Sequence, residues 1–189
     1  HDGFYEIKSV AFSPDGKSIV TCFVEGHFFI LWDAISLKPI RIFQDYNDCF
    51  CAVFSPSGDT VVSAGAEGVY LWDIEMEKFM IVYDTRDNLE VMYGDLPCSD
   101  DAVKISDLYS TSVAFSSCGT YIASIGNEDL VDEQLPTVQI WDIGRKVLMK
   151  TFVPPRMPMD TNITFNPSND KIVVAFDEQI LVWDIYPSI

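Results

Sequence analysis

The sequence is poor in basic residues and in histidine. Lys and Arg together number 12 against 29 Asp and Glu, which gives a formal net charge of −17 over 189 residues. Nucleic acids and anionic membranes select Lys and Arg, so this balance argues against direct binding to either. The two histidines, His1 and His27, are too few to predict a Cys/His zinc set. We therefore expect no metal site and no cofactor.

Long apolar runs and paired cysteine motifs are also missing. The longest apolar run covers only residues 49–54, whereas a membrane-spanning helix needs about 20 apolar residues. The chain opens on polar and charged residues and shows no signal-peptide pattern. Free thiols in a reducing compartment, cytoplasmic or nuclear, are predicted because the cysteines are odd in number and include no Cys-x-x-Cys pair. They are Cys22, Cys49, Cys51, Cys98 and Cys118.

Catalytic signatures are absent from the sequence. It contains no G-x-S-x-G, Walker, H-E-x-x-H or glycine-rich phosphate motif. Carboxylates are so abundant that chance pairs are expected, and such pairs do not indicate acid–base catalysis. We predict no catalytic residues and a function other than catalysis.

Four internal repeats organise what is present. Each begins with an apolar segment and a turn motif, as in residues 10–16 (VAFSPDG), 52–58 (AVFSPSG), 113–119 (VAFSSCG) and 163–170 (ITFNPSND). Each ends on a Trp-Asp doublet, and the doublets include all four tryptophans of the chain. The doublets are Trp32 and Asp33, Trp72 and Asp73, Trp141 and Asp142, and Trp183 and Asp184.

The second repeat illustrates the local structure that the pattern predicts. Short apolar or β-branched segments at 51–55, 60–64, 69–72 and 78–83 indicate four strands, separated by turns such as Ser-Pro-Ser-Gly. Such a meander cannot bury both faces of its sheet alone. Radial stacking of several meanders covers both faces, which is the principle of a β-propeller.

The doublets, the turn motifs and a period near 40 residues resemble the WD40 repeat. The resemblance implies an all-β, WD40-type β-propeller with blades at about 9–43, 50–83, 111–152 and 161–185. It also implies that the tryptophans pack between blades and that each Asp begins a turn, both structural roles. The Gly-His pair of the family is absent from its usual place, so no blade is assigned the complete hydrogen-bond network of the family.

The number of blades leaves two possibilities open. Propellers of this family most often have seven blades, and the fourth repeat lacks an outer strand after Ile185. Residues 3–7 are one candidate for that strand and would close a four-bladed ring. The favoured alternative is a larger propeller, with the remaining blades contributed by the rest of a longer chain.

Acidic residues concentrate in two segments predicted to share the top face, where blades are joined. One is an insertion at 84–110 between blades two and three, and the other is a long loop at 126–136. They predict a site for a basic protein partner, although solvated acidic loops without a partner remain an alternative. The predicted function is a scaffold for protein–protein interactions; the alternative is a structural propeller segment of a larger sensor or assembly factor. The candidate partner-binding residues are Asp95, Asp100, Asp101, Glu128, Asp129, Asp132 and Glu133.

Overall fold

Each repeat folds into an antiparallel meander of short strands. The structure is a computed structural model and describes residues 6–24, 28–44, 48–66, 68–75, 102–106, 109–130, 133–155, 161–176 and 179–186. These residues form strands and turns, without an α-helix. The strands are β1 (Glu6–Phe12), β2 (Ser18–Val24), β3 (Phe28–Asp33), β4 (Pro39–Gln44), β5 (Cys49–Phe54), β6 (Thr60–Gly65), β7 (Gly68–Asp73), β8 (Ala102–Ser106), β9 (Tyr109–Phe115), β10 (Tyr121–Leu130), β11 (Glu133–Asp142), β12 (Val147–Phe152), β13 (Thr161–Phe165), β14 (Lys171–Phe176) and β15 (Gln179–Asp184).

The strands pair in sequence order into four sheets. Sheet one is β1 to β4, sheet two β5 to β8, sheet three β9 to β12, and sheet four β13 to β15. The first turn of each sheet needs a left-handed residue, which is Gly16, Gly58, Gly119 and Asn169 in turn, with φ between 59° and 81°. Glycine adopts this conformation without strain, and asparagine tolerates it better than most residues. The turn motifs therefore set the pairing of the first two strands in every repeat.

The fourth strand of sheet two differs from its predicted position. β7 pairs along its outer edge with β8, Ala102–Ser106, so the prediction of residues 78–83 as this strand is wrong. The predicted segment falls in 76–101, outside the described residues. Both segments are apolar enough to pair, and a meander accepts a long connection before its edge strand as readily as a short one. Strand propensity alone therefore does not decide which segment pairs with β7.

The N-terminal strand also differs from one of the predicted alternatives. Residues 3–7 were a candidate outer strand for the fourth repeat, yet Glu6 and Ile7 pair with Val24 and Phe23 as part of β1. Residues 3–5 lie outside the described residues. The prediction fails because the alternating pattern of β1 continues upstream of the repeat motif, so the same residues extend the first strand of sheet one. Within the described residues sheet four has three strands, as the missing outer strand predicts.

The predicted loop at 126–136 is largely a hairpin. β10 continues to Leu130 and β11 starts at Glu133, so only residues 131–132, outside the described residues, connect them. The acidic composition indicated a loop because Asp, Asn and Glu are depleted in strands. Backbone pairing with the partner strand overrides that weak preference here.

The hydrophobic core lies between neighbouring sheets in three layers. The first layer joins Phe29 and Phe43 of sheet one to Trp72 of sheet two. The second packs Leu71 of sheet two against Trp141 of sheet three. The third packs sheet three against sheet four, where the Trp183 ring stacks on Phe152 with centroids 5.1 Å apart. Each tryptophan after the first thus packs against the preceding sheet, and β1, β5, β9 and β13 follow one another along the inner edge of the array.

Candidate protein-interaction surface

The sheets present two rims of different construction. The turn rim carries the first turns of the sheets, residues 13–17, 55–59, 116–120 and 166–170, together with the turns after the Trp-Asp doublets. The hairpin rim, at the opposite strand ends, carries the β10–β11 connection and the links from one sheet to the next. Antiparallel pairing dictates this division, because successive turns of a meander alternate between the two ends of a sheet.

The β10–β11 hairpin extends beyond the rest of sheet three on the hairpin rim. Pairing between β9 and β10 ends at Asn127, and pairing between β11 and β12 ends at Val138. Three further rows, Glu128 with Leu135, Asp129 with Gln134 and Leu130 with Glu133, pair with no third strand within the described residues. Three strand residues span about 10 Å. We call this extension, residues 128–135, the acidic ribbon.

The acidic ribbon holds four of the seven candidate partner-binding residues. Glu128, Asp129 and Glu133 lie at backbone positions in its strands, and Asp132 lies in the connection outside the described residues. No Lys or Arg occurs between residues 126 and 136. The backbone therefore brings three of the predicted acids onto one projecting two-stranded element, which the sequence pattern alone presented as a loop.

The other three candidates belong to a different connection. Asp95, Asp100 and Asp101 lie outside the described residues, in the segment that joins β7 to β8. Trp72 pairs with Ala102, so both described ends of that segment are on the turn rim. The prediction that an insertion at 84–110 links blades two and three is wrong, because only residues 107–108 separate β8 from β9. The assignment of these three acids to a binding site stays a prediction.

The aspartates of the first three Trp-Asp doublets organise turns. The Asp33 carboxylate accepts the Ser36 backbone N–H at 2.6 Å, and the Asp142 carboxylate accepts the Arg145 backbone N–H at 2.8 Å. In the fourth doublet Asp184 instead forms an ion pair with Lys171 across β14 and β15. The hydrogen bond from Ser36 is the largest reason that the pKa of Asp33 lies below its ordinary value. The Asp73 carboxylate accepts the Glu75 backbone N–H at 2.8 Å, so the carboxylates of the first three doublets bind their local backbone.

Acids in the first turns are similarly engaged. The pKa of Asp15 is lowered chiefly by the backbone N–H of Lys17. The pKa values of Asp59 and Asp170 are lowered chiefly by a neighbouring serine hydroxyl, that of Ser57 for Asp59. In the third turn Cys118 stands at the place of Asp15, and its thiol lies 3.4 Å from the Ser116 hydroxyl. The turn-rim carboxylates thus have intramolecular partners within the described turns.

The indole N–H groups are satisfied in more than one way. The Trp32 Nε1 donates to Thr21 Oγ1 and the Trp72 Nε1 donates to Ser63 Oγ, each at 2.8 Å. In sheet three the Trp141 Nε1 donates to Gln139 Oε1 at 3.2 Å. Ser124 stands where Thr21 and Ser63 stand, and its buried hydroxyl has no hydrogen-bond partner in the described part of the chain. Sequence analysis did not predict that Gln139 replaces a Ser or Thr hydroxyl as the acceptor of the indole N–H, although Gln139, two residues before Trp141, could have indicated it.

The described residues also bear on metal binding, membrane association and thiol chemistry. No group of three or more His, Cys, Asp or Glu side chains there is placed to hold a metal ion. No helix in these same segments is long and apolar enough to cross a membrane. The described cysteines, Cys22, Cys49, Cys51 and Cys118, are free thiols, and burial raises the pKa of Cys51.

Comparison with known proteins identifies the repeat. The family model "WD domain, G-beta repeat" matches residues 1–33 and 37–73. The chain is 27% identical over 146 residues to the small ribosomal subunit protein RACK1 of Brassica napus, which covers 77% of this chain and 41% of the relative. It is 26% identical over 151 residues to the WD repeat-containing protein AAC3 of Dictyostelium discoideum, which covers 79% of this chain and 27% of the relative.

A solved structure supports the fold. A chain of the Kuenenia stuttgartiensis hydrazine synthase superposes with a TM-score of 0.67 at 17% sequence identity. The superposition covers 89% of this chain and 43% of that chain, and it shows the fold alone. The chain therefore spans less than half the length of each of these three proteins.

Proposed function

We propose that this chain, which belongs to the WD40-repeat family and has its β-propeller fold, acts as a non-enzymatic scaffold that binds a basic protein partner through the acidic ribbon. Proteins of this repeat family generally act as scaffolds for protein interactions. The observation that carries the site is the projection of residues 128–135 beyond sheet three, with its acidic positions and open strand edges. The similarity to a ribosomal subunit protein supports an intracellular setting.

Charge supports a basic partner in two ways. The net charge of −17 attracts cationic surfaces over distances of several ångströms and raises the rate of encounter. The ribbon concentrates Glu128, Asp129, Asp132 and Glu133 within six residues, without a neighbouring base to neutralise them. Asp95, Asp100 and Asp101 add to the long-range attraction from a separate connection.

Charge reversal tests the proposal. The variant Glu128→Lys, Asp129→Lys, Asp132→Lys and Glu133→Lys is compared with a matched variant that reverses Asp87, Asp95, Asp100 and Asp101, which changes the net charge equally. Binding of a Lys/Arg-rich peptide is measured by fluorescence anisotropy at low and physiological salt. We expect the ribbon variant to lose at least about tenfold in affinity, since exposed charge pairs contribute roughly 0.2–1 kcal/mol each.

The matched variant distinguishes binding at the acidic ribbon from attraction by the overall negative charge of the chain. We expect it to lose association rate at low salt and to approach the parent at physiological salt, because screening removes long-range attraction. Equal losses in both variants would show that overall charge, rather than the ribbon, binds the peptide. Parent-like binding by the ribbon variant would refute the site.

A second function is supported by the coverage of the relatives. The chain spans 41% and 27% of the two related proteins, so the second candidate is a structural propeller segment of a larger protein, such as an assembly factor or sensor. Purification of the full-length gene product distinguishes the two functions. A scaffold retains a partner in stoichiometric amount, whereas a structural segment purifies without one.

A further inference from the structure

The acidic ribbon has a backbone edge on β10 that no neighbouring strand covers in the described part of the chain. β9 pairs with β10 as far as the row of Tyr109 with Asn127. β10 continues for three more residues, Glu128–Leu130, which pair with β11 on their other side. We call these three residues the β10 edge. Unpaired N–H and C=O groups along a strand edge are a template for another extended chain.

The connection before β9 is too short to cover the β10 edge. Ser106, the last residue of β8, pairs with Val69 in sheet two, whereas Tyr109 begins β9 in sheet three. Ser106 and Tyr109 are three Cα steps apart, which span at most about 11 Å. Stacked sheets lie about 10 Å apart. The chain must therefore use this length to pass between the sheets, and it has none left to form a further row beside β10.

The edge of β11 is less suited to pairing with another chain. β11 contains Pro136 in the stretch before Val138, where its pairing with β12 begins. The chain that leaves β12 after Phe152 soon reaches Pro154 and Pro155. Proline lacks the backbone N–H that a strand ladder needs, and prolines at sheet edges prevent pairing. β10 contains no proline, so the β10 edge is the better acceptor of an added strand.

The register sets the order of residue types along the β10 edge. Successive strand positions alternate between the two faces, so Glu128 and Leu130 belong to one face and Asp129 to the other. Residues directly opposite each other on neighbouring strands stabilise the pair when they carry opposite charges or are both apolar. A matching strand therefore has basic residues opposite Glu128 and Asp129 and an apolar residue opposite Leu130.

The direction of an added strand follows from sheet three. Its strand pairs are all antiparallel, and antiparallel pairing is slightly more stable per residue than parallel pairing. An antiparallel strand beside β10 lies in line with β9. Read from its N-terminus, it meets Leu130 first, then Asp129 and then Glu128. The matching sequence is therefore an apolar residue followed by two basic residues.

We infer that the basic partner binds by strand addition: an extended segment with an apolar residue followed by two basic residues pairs with Glu128–Leu130 as an antiparallel strand. This inference rests on the proposed function and adds to it the binding mode and the order of residues in the partner. Charge complementarity favours such a partner over a second copy of this chain, whose net charge is −17. In strand addition, backbone hydrogen bonds supply affinity and alternate side chains supply specificity.

N-methylated peptides test the backbone pairing. The probe is a fluorescently labelled peptide, Gly-Ser-Val-Lys-Arg-Ser-Gly, and its binding is measured by fluorescence anisotropy at physiological salt. Two derivatives carry a backbone N-methyl group on the Lys or on the Arg, which leaves the charge unchanged. Consecutive N–H groups of a strand point to opposite edges, so only one of them faces β10. We expect that derivative to bind about fivefold or more weakly, and the other to bind like the probe.

A peptide with the order Arg-Lys-Val between the same flanks tests the register. It has the composition and charge of the probe, but as an antiparallel strand it places Arg opposite Leu130 and Val opposite Glu128. We expect it to bind about two- to fivefold more weakly than the probe. Equal or tighter binding would overturn the antiparallel pairing.

Two single variants of the protein locate the added strand. Leu130→Glu adds an acid at the β10 edge, and Leu135→Glu adds one on the same face of β11. A peptide with Lys in place of the Val should gain about two- to fivefold over the probe on Leu130→Glu. The gain on Leu135→Glu should be smaller, because a strand two places away lies about 10 Å off. Thermal unfolding verifies that both variants are folded, and equal gains would contradict pairing with β10.

The outcomes separate strand addition from the proposed function. A probe that binds the parent and the charge-reversed ribbon variant equally, or binds neither, would refute both. Loss of binding on charge reversal, with the two N-methyl derivatives binding alike, would leave the basic site standing and overturn strand addition. Loss of binding by one derivative alone supports both.

Discussion

Trp72 and Trp32 occupy the same place in successive repeats but differ in environment. Each donates its indole N–H to a Ser or Thr hydroxyl on the neighbouring strand at 2.8 Å. Trp72 is 1% exposed against sheet one, whereas Trp32 is half-buried on the face of sheet one that is turned away from sheet two. The hydrogen bond within the sheet thus follows from the repeat sequence itself. Burial, which supplies most of the stabilisation, depends on the neighbouring sheet.

Truncation of the two tryptophans should give the largest difference in the free energy of unfolding between the two positions. We expect Trp72→Ala to lower the free energy of unfolding by about 3–5 kcal/mol, because it removes a large buried ring and leaves a cavity. Trp32→Ala should cost less than about half as much, because the Trp32 ring is only half-buried. Urea denaturation measures both. Equal losses would mean that the sheet-to-sheet contact contributes little.

Removal of the hydroxyl acceptors should have the next largest effect. Ser63→Ala leaves the buried Trp72 N–H unsatisfied and should cost about 1–3 kcal/mol. Thr21→Val should cost less, because water can reach the half-buried Trp32. Ser124→Ala is the matched control: its hydroxyl has no partner in the described segments, so the change should be neutral or stabilising. The three are compared by urea denaturation, and a destabilising Ser124→Ala would contradict this reasoning.

Substitution of two turn glycines should give a smaller difference in stability between sheets one and two. Gly16→Ala and Gly58→Ala both place a side chain at positive φ, which costs about 1–2 kcal/mol. Only Gly58→Ala also approaches the Pro14 ring, so it should be the more destabilising of the two. Thermal unfolding of the two variants and the parent measures the difference. A larger effect at Gly16 would show that the contact between turns is unimportant.

Acid titration should show the smallest difference between turns. The pKa of Asp59 is lowered from its ordinary value of 3.8, so the ionised form favours the folded state. The stability that ionised Asp59 contributes is present above pH 3.8. It is lost as the pH falls through the lowered pKa of the folded state. Asp59→Asn should therefore flatten the acid side of the Tm profile between about pH 2 and 6.

Cys118→Ser is the control for the acid titration, because it changes the third turn, where Thr120 rather than an aspartate stands at the place of Asp59. The pKa of Cys118 is lowered from 9.0, chiefly by the Ser116 hydroxyl. The stability that the Cys118 thiolate contributes is present above pH 9.0. It is lost as the pH falls through the lowered pKa of the folded state. The Cys118→Ser variant should keep the acid side of the parent's Tm profile. A flattened profile would show that Asp59 does not account for the acid dependence.

Much of the fold could be predicted from the sequence, because each repeat encodes its own strands and turns locally. The Trp-Asp doublets and the turn motifs identified the repeat, and the structure places both at equivalent positions in the four sheets. β8 could not be located this way, because local strand propensity does not decide which apolar segment pairs with β7. The sequence shows the local preferences for strands and turns, but not which distant segments pair.

The candidate site was less predictable for a related reason. Acidity at 126–136 indicated exposure, but not that pairing continues through Leu130 and Glu133 to make a ribbon. The acids near residue 100 were grouped with the ribbon because the insertion was assigned between blades. Once β8 is the outer strand of sheet two, the described ends of that insertion lie on the opposite rim. Register and topology, rather than composition, separate the two groups.

The bonded pair Ser117 and Asn169 has an evolutionary consequence. Repeats multiply by duplication of whole genetic units, and a duplicated unit acquires a new predecessor in the chain. The Asn169 Oδ1 accepts the Ser117 backbone N–H at 2.8 Å across the last two turns, whereas at the first junction a Cβ atom at Gly58 would lie 3.3 Å from the Pro14 ring. A change at one position therefore favours a compensating change in the adjacent unit. The order in which these units can follow one another is restricted by two residues at each junction.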